Sequence, residues 1–306
     1  MTLQQILYVI TISRCGSMNK AAQELFISQP SLTNAVKELE KEVGITIFRR
    51  SGKGTAATAE GEEFLTYARQ LYQQYELLSG RYINPSEIKR KFGVSSQHYS
   101  FAVKAFVETV KQFDMKKYEF AMREEKTAEV ISDVSSFKSE IGILYINDFN
   151  RKIIQKMLSE NDLEFLPLIN CSAYVYIWKN HPLAKNESIS FDELKKYPCL
   201  SFEQGEKGSF YFAEEILSTN EYPRIIKATD RSTMLNLMVG LNGYTLCSGI
   251  ICEELNGSDY IAVPYRSDAD NPNETMTIGC IVKKNSPLSP IGETYVKELK
   301  KYLKCT

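Results

Sequence analysis

Histidine and tryptophan are scarce in this chain, at two and one of 306 residues. With only His98 and His181, a histidine-rich metal site is excluded, and neutral-pH acid–base catalysis has few candidates. No GxSxG elbow, phosphate-binding P-loop, dinucleotide fingerprint or His/Cys cluster occurs. The expectation is therefore no catalytic residue, no metal and no cofactor. The seven cysteines are scattered without a CxxC pair, the pattern of small buried hydrophobes in a reducing compartment. Cys247 and Cys252 leave a redox pair open as a second reading. No apolar run approaches the roughly 18 residues of a membrane helix, and Met1-Thr2-Leu3-Gln4-Gln5 lacks the basic-then-apolar signal-peptide pattern. A cytoplasmic protein without a membrane partner is expected. Net charge is only −1, so bulk charge does not point to nucleic acid. Its distribution is more informative. Lys20, Lys37, Arg49, Arg50 and Lys53 gather on one prospective surface, while most acids of the first 90 residues fall elsewhere.

The stretch from Ser17 to Gly44 reads as two short helices and a tight turn. Ser17 caps the first, which carries Met18, Ala21, Ala22 and Leu25 on one stripe. Phe26-Ile27 make the turn and Ser28 caps the second helix. Pro30 falls in its first turn, where a missing N–H costs nothing. Leu32, Ala35, Val36, Leu39 and Val43 form one buried face, and Gly44 stands at the αL cap. The other face offers Gln29, Ser31, Thr33, Asn34 and Lys37. Short hydrogen-bonding groups at a positive helix N-terminus suit phosphate and base edges in a major groove. A helical hairpin inside an ordinary core is the competing reading. Residues 3–14 form a preceding helix with Leu3, Ile6, Leu7 and Ile10 on one stripe. Residues 45–48 read as a strand, 49–54 as a basic turn and 55–58 as its return, a small wing whose cations reach backbone phosphate. Helix, helix-turn-helix, wing and a following helix make a winged helix-turn-helix.

These residues resemble the LysR-type transcriptional regulators. The resemblance lies in Gly16-Ser17-Met18, Ala21-Ala22, Leu25, Ser28-Gln29-Pro30-Ser31-Leu32, Leu39-Glu40, Gly44, Phe48-Arg49-Arg50 and Thr58-Ala59-Glu60-Gly61. Asn34 stands where the family often has Arg, and Thr55-Ala56-Ala57 is less apolar than its usual wing return. The DNA-contact set expected is Ser17, Lys20, Ser28, Gln29, Pro30, Ser31, Thr33, Asn34, Lys37, Arg50 and Lys53.

From Ala59 to about Tyr82 a long helix places Phe64, Ala68, Leu71, Tyr75, Leu78 and Tyr82 at alternating steps of four and three, a coiled-coil seam. Packing onto its own winged domain through Leu65, Tyr67 and Tyr72 is the alternative. The resemblance implies a dimerising linker helix with seam residues Phe64, Ala68, Leu71, Tyr75 and Leu78. A homodimer or homotetramer on an inverted-repeat double-stranded operator follows, with RNA polymerase a further possible contact.

After Asn84-Pro85-Ser86, strand-like and helix-like segments alternate, a βαβ series implying a largely parallel sheet. Strands are expected at 90–95, 118–123 and 140–146, with helices at 98–113 and 127–137. A broken strand pair at 163–179 follows, then a second lobe that includes a helix at 210–219. The domain expectation is 1–58 winged helix-turn-helix, 59–89 linker and hinge, and 90–306 effector-binding domain. Within the last, lobe I is 90–166 with 268–306 and lobe II is 167–267, with crossovers near 166–168 and 264–268. The fold class is thus α/β: a winged helix-turn-helix, a long linker helix and a two-lobed domain like the periplasmic binding proteins. His181-Pro182-Leu183-Ala184 matches the family's effector domain. Thr229 to Met234 and Gly240 to Thr245 resemble its subset controlling sulfur amino-acid metabolism.

Such lobes bind small ligands in the cleft between them. Ser95-Ser96-Gln97-His98 ends one strand and opens a helix, an anion-friendly corner unless Ser96 merely caps. Thr127 is either cap or contact. Gln204 lies in a glycine-containing loop, Glu203 to Gly208, that borders the cleft or is only a solvated connection. Arg231 either clamps a carboxylate or pairs with Asp230, which also suits a cap or an ammonium group. The ligand set expected is Ser95, Ser96, Gln97, Thr127, Gln204 and Arg231, and the effector an amino acid or small carboxylate. Two other classes remain. An enzyme lacks every motif named above, and a purely architectural DNA binder would have a sealed cleft.

Overall fold

The computed structural model describes residues 1–51, 54–82, 90–113, 118–205, 210–267 and 272–304. Lys53, the side chain of Arg50, the hinge around Asn84-Pro85-Ser86, the loop centre at 206–209 and Cys305 lie outside what is described. The chain divides into two compact units, Met1–Ile88 and Lys89–Thr306.

In the first unit, α1 (Leu3–Cys15), α2 (Met18–Glu24) and α3 (Gln29–Val43) each begin at a polar cap, and α1 and α3 end at a glycine. Thr2 and Gln5 form a capping box. Ser17 and Ser28 each accept a backbone N–H of their own first turn, and Gly16 and Gly44 close α1 and α3 in the left-handed conformation. The core joins Ile6, Val9 and Ile12 of α1 to Ala21, Ala22, Leu32, Val36 and Leu39. The expected α1 stripe shifts: Leu3 is exposed and Val9 and Ile12 are buried instead. Residues 6–10 of α1 are apolar without a break, so periodicity alone does not choose the inward side.

The wing also shifts. Its strands are β1 (Phe48–Ser51) and β2 (Gly54–Ala57), paired antiparallel with Arg49 opposite Ala56. Residues 45–47 are not strand. The Glu40 carboxylate of α3 accepts the N–H groups of Ile47 and Phe48 at 2.7 and 3.1 Å. Thr58 Oγ1 donates to the Thr46 carbonyl at 2.6 Å and accepts the Gly61 N–H at 2.9 Å. With those groups taken, ladder pairing starts only at Phe48.

Helix α4 (Ala59–Tyr82) uses part of its seam internally. Leu65 and Ala68 are buried, and Phe64 and Tyr72 pack on the same core. Leu71, Tyr75 and Leu78 stay exposed, as does Tyr67, which does not join the core. Leu71, Gln74, Tyr75 and Leu78 line an open groove of about 540 Å³ with Met1, Thr2, Leu3 and Ile6.

The second unit begins with β3 (Arg90–Ser96), α5 (Ser100–Lys111), β4 (Tyr118–Glu124), α6 (Thr127–Ser135), β5 (Ile141–Ile146) and α7 (Arg151–Glu160). It continues with β6 (Leu163–Ser172), β7 (Tyr174–Trp178), β8 (Ile189–Ser190), α8 (Phe191–Leu194) and β9 (Cys199–Phe202). Then come β10 (Ile225–Ala228), α9 (Arg231–Leu241), β11 (Thr245–Cys247), α10 (Glu253–Asn256), β12 (Tyr260–Arg266), β13 (Thr275–Lys283) and α11 (Pro290–Leu303). One sheet runs β4-β3-β5-β13-β6. Its first three strands are parallel, while β13 is antiparallel to both β5 and β6. Every residue of β5 is buried, as a strand covered on both faces requires. A second sheet, β11-β7-β12-β8, and the parallel β9–β10 pair form the other lobe.

The first crossover does not fall at 166–168. Strand β6 stays in the first sheet through Ser172, paired with Thr275, and the chain changes sheets at Ala173. Helix α7 carries only two buried apolar side chains, Ile154 and Leu158, and is absent from the expected elements. The expected helix at 210–219 is a single 3-10 turn, Phe210–Phe212, followed by irregular chain in which Leu217 has φ +61°.

Candidate functional sites

Helix α3 presents one of them. Its apolar face, Leu32, Val36 and Leu39, is buried. Pro30, Ser31, Asn34 and Lys37 are exposed on the other side, with Lys20 and Ser28 beside them. Gln29 and Thr33 are half-buried, and the Gln29 amide donates to Thr33 Oγ1 at 2.6 Å. Ser28 and Ser31 hydroxyls are 2.7 Å apart, and Ser17 keeps its capping role. The described members of the expected DNA-contact set thus share the outer face and N-terminal edge of one helix pair. Local hydrogen bonds within that face hold side chains in defined positions at little further entropic loss on binding.

The second site lies between the lobes of the second unit. Gln97 Nε2 donates to Thr127 Oγ1 at 2.6 Å, and Gln97 Oε1 accepts from the Tyr145 N–H and the Tyr99 hydroxyl. The Thr127 N–H donates to Gln204 Oε1 at 3.1 Å across the lobes. Gln97, Thr127 and Gln204 are therefore brought together. Ser95 points elsewhere: its hydroxyl donates to Asp133 at 2.7 Å and meets Ser139 at 2.8 Å, in a fully buried position. Ser96 turns onto the carbonyl of Gln97 at 2.6 Å. Arg231 is paired with Glu124 at the end of β4, not with Asp230. Asp230 instead caps α9 through the Thr233 N–H and hydroxyl, which hold its carboxyl below the usual range.

Residues outside the expected ligand set complete this site. Glu214 accepts the His98 N–H and meets His98 Nδ1, both at 2.8 Å, and accepts from Gln204 Nε2 at 2.8 Å. The His98 ring stacks on Phe202 with centroids 3.8 Å apart. Glu215 accepts the Phe202 N–H at 2.7 Å. Tyr145 donates to the carbonyls of Ala213 and Glu215, and Thr127 to that of Phe212. Two adjacent acids inside the apolar run Ala213 to Leu217 were the available signal, since solvated acids do not need apolar neighbours on both sides.

Burial, with the Glu214 charge beside it, pushes the Glu215 carboxyl up to about 8. A raised carboxyl binds its proton more tightly in the folded state than in the unfolded one. Its contribution to stability is complete below the ordinary carboxylate range and is lost as pH rises through about 8. Glu215→Gln should therefore flatten the fall in melting temperature between about pH 5 and 8. Thermal unfolding of both proteins across that range checks this, and parallel curves would refute it.

His181 belongs to the scaffold. Its Nε2 meets the Asn242 carbonyl at 3.0 Å, its Nδ1 accepts the Leu183 N–H, and burial lowers its pKa. Cys247 and Cys252 are separate free thiols. Burial pushes Cys247 up to about 12, far from the thiolate that redox exchange requires. Among the described residues, no cluster of three His, Cys, Asp or Glu forms a metal site. No described helix is long and apolar enough to cross a membrane.

Residues 3–62 match the family described as bacterial regulatory helix-turn-helix protein, lysR family, and residues 99–304 match the LysR substrate binding domain. The chain belongs to the LysR family of transcriptional regulators. The uncharacterized regulator YbhD of Escherichia coli is 23% identical over 94% of this chain and 87% of its own length. AlsR of Bacillus subtilis is 27% identical over 66% of this chain and 64% of its own. Identities of this size mark the LysR family and not a branch within it. Among solved structures, full-length OxyR from Pseudomonas aeruginosa superposes with a TM-score of 0.67 at 17% identity, covering 100% of this chain and 96% of that one. CbnR in complex with its target DNA gives 0.57 at 16%, covering 99% and 100%. This LysR regulator therefore has the family's fold throughout, a helix-turn-helix unit for DNA followed by an effector-binding unit.

Proposed function

We propose that this LysR regulator binds an inverted-repeat operator as a dimer, with Gln29 and Asn34 of α3 in the major groove. A small carboxylate or amino acid between its two lobes sets the arrangement of the DNA-reading heads. The observation that carries the DNA half is the exposed polar face of α3, aimed outward by Leu32, Val36 and Leu39 beneath it. Amides of Gln and Asn pair bidentately with adenine, each good pair discriminating by about 1–3 kcal/mol. Lys20 and Lys37 supply phosphate contacts that position without reading sequence. DNA bound to CbnR supports this docking by likeness of fold.

The effector half is supported by Gln97, Thr127 and Gln204, which bring amide and hydroxyl groups from both lobes to one place. A ligand there shifts the regulator only if it binds one lobe arrangement more tightly than the other. Footprinting of the full chain on its operator, with and without a panel of carboxylates and amino acids, tests this. At least one compound should alter the protected pattern or the bend. A pattern unmoved by all of them supports a second reading, an effector-independent DNA organiser. One observation favours that reading: Glu214 already fills the interlobe corner.

A further inference from the structure

We propose that residues Phe210 to Leu217 are a built-in occupant of the interlobe site, with the Glu214 carboxylate standing where an effector carboxylate would bind. A carboxylate effector then acts by displacing the chain's own. This rests on the reading that the effector binds between the lobes, and it names what the effector must compete with.

The argument starts from the donors. The corner where β3 ends and α5 begins exposes the His98 N–H, and His98 Nδ1 lies beside it. Gln204 adds an amide from the other lobe. All three meet the one Glu214 carboxylate at 2.8 Å. Several N–H donors converging on one carboxylate in a buried place form the strong class of hydrogen bond. Glu214 is 7% exposed, so this is a made site and not a surface contact.

The backbone around Glu214 is held as firmly. Carbonyls of Phe212, Ala213 and Glu215 accept from Thr127 and Tyr145, both on the first lobe. The segment itself lies between β9 and β10 of the second lobe. It is thus an element through which one lobe is plugged into the other.

Local preference points the other way. Ala213-Glu214-Glu215-Ile216-Leu217 is a good helix-forming run, yet it is irregular here and Leu217 sits at φ +61°. In a helix the adjacent Glu214 and Glu215 would diverge by about 100° around the axis, whereas here both reach buried partners, His98 and the Phe202 N–H. Docking wins over propensity, and a left-handed leucine is a departure that only surrounding contacts sustain. Relieved of its contact at Glu214, the segment has an alternative conformation to adopt.

Chemical rescue tests the proposal. In the full-length Glu214→Ala protein, the His98 and Gln204 donors face a space of carboxylate size. Acetate at roughly 20 mM should raise the melting temperature of this variant, with chloride at equal ionic strength as control. Wild type should bind acetate at least about tenfold more weakly. Equal stabilisation of both proteins, or of neither, overturns the proposal. Should Glu214→Ala not fold, Glu214→Gln preserves the volume and loses the charge. Chymotrypsin should then cut within 210–217 at least about tenfold faster than in wild type, and an unchanged rate overturns the proposal. The two readings fail separately. Acetate rescue without any metabolite effect on the wild-type footprint keeps the occupant and removes the effector. A metabolite effect without rescue does the reverse.

Discussion

Changing Leu71 and Leu78 together to glutamate should turn the protein into a monomer and weaken its hold on a two-half-site operator by at least about 100-fold. Both side chains are exposed on α4, at 44% and 58%, while the earlier seam residues Phe64 and Ala68 pack on the winged unit. The substitutions are therefore outside the buried core that runs from Ile6 to Ala68. What they remove is the exposed apolar stripe that continues through Tyr75 into the groove beside Leu3. A contiguous apolar stripe on a long helix marks a place for a partner. Two heads joined by such a stripe bind their second half-site at high effective concentration, and that advantage disappears with the dimer. Light scattering reads the mass and a binding isotherm reads the affinity. A variant that stays dimeric with unchanged affinity would locate the dimer contact elsewhere.

Gly61→Ala should unfold or loosen the head. A Cβ at this position would stand 2.1 Å from the Ile47 carbonyl oxygen and 3.0 Å from its Cα. Both are backbone atoms, so no side-chain rotation relieves the clash. The start of α4 would have to withdraw from the loop that Thr58 and Glu40 pin in place. Overpacking of this kind costs roughly 3 kcal/mol, a large share of what a small unit has. Chemical denaturation should show the head melting at lower denaturant, with specific DNA binding lost and the second unit unaffected. Wild-type stability of the head in this variant would mean that the start of α4 does not lie against the Ile47 backbone as described.

Legibility followed the range of the forces involved. Helix ends were readable because Ser17, Ser28, Gly16 and Gly44 act on their own first or last turn. The buried face of α3 was readable because its polar and apolar residues separate cleanly. The inward face of α1 was not, since its residues 6–10 are apolar without a break. The wing register moved because a carboxylate from α3 took two of its N–H groups, a contact between residues seven and eight apart that no local pattern announces. Helix α7 went unread because its start is set by a reciprocal pair, Asn147 and Asn150, that resembles an ordinary turn. The cleft was half legible. Gln97 and Thr127 sit at strand ends and helix starts, where topology places ligand groups. Ser95 faces Asp133 because side chains alternate along β3, and the alternation sends it under the sheet. Glu214 and Arg231 answer to partners more than a hundred residues away in sequence.

The claim on which the rest depends is that α3 reads bases. Its most direct test is a titration of the full-length Gln29→Ala, Asn34→Ala double variant against operator and scrambled duplexes at one fixed salt concentration. The ratio of specific to nonspecific affinity should fall by at least about tenfold while nonspecific binding and its salt slope stay as in wild type. An unchanged ratio would contradict that claim, and would place sequence recognition on some other surface of the head.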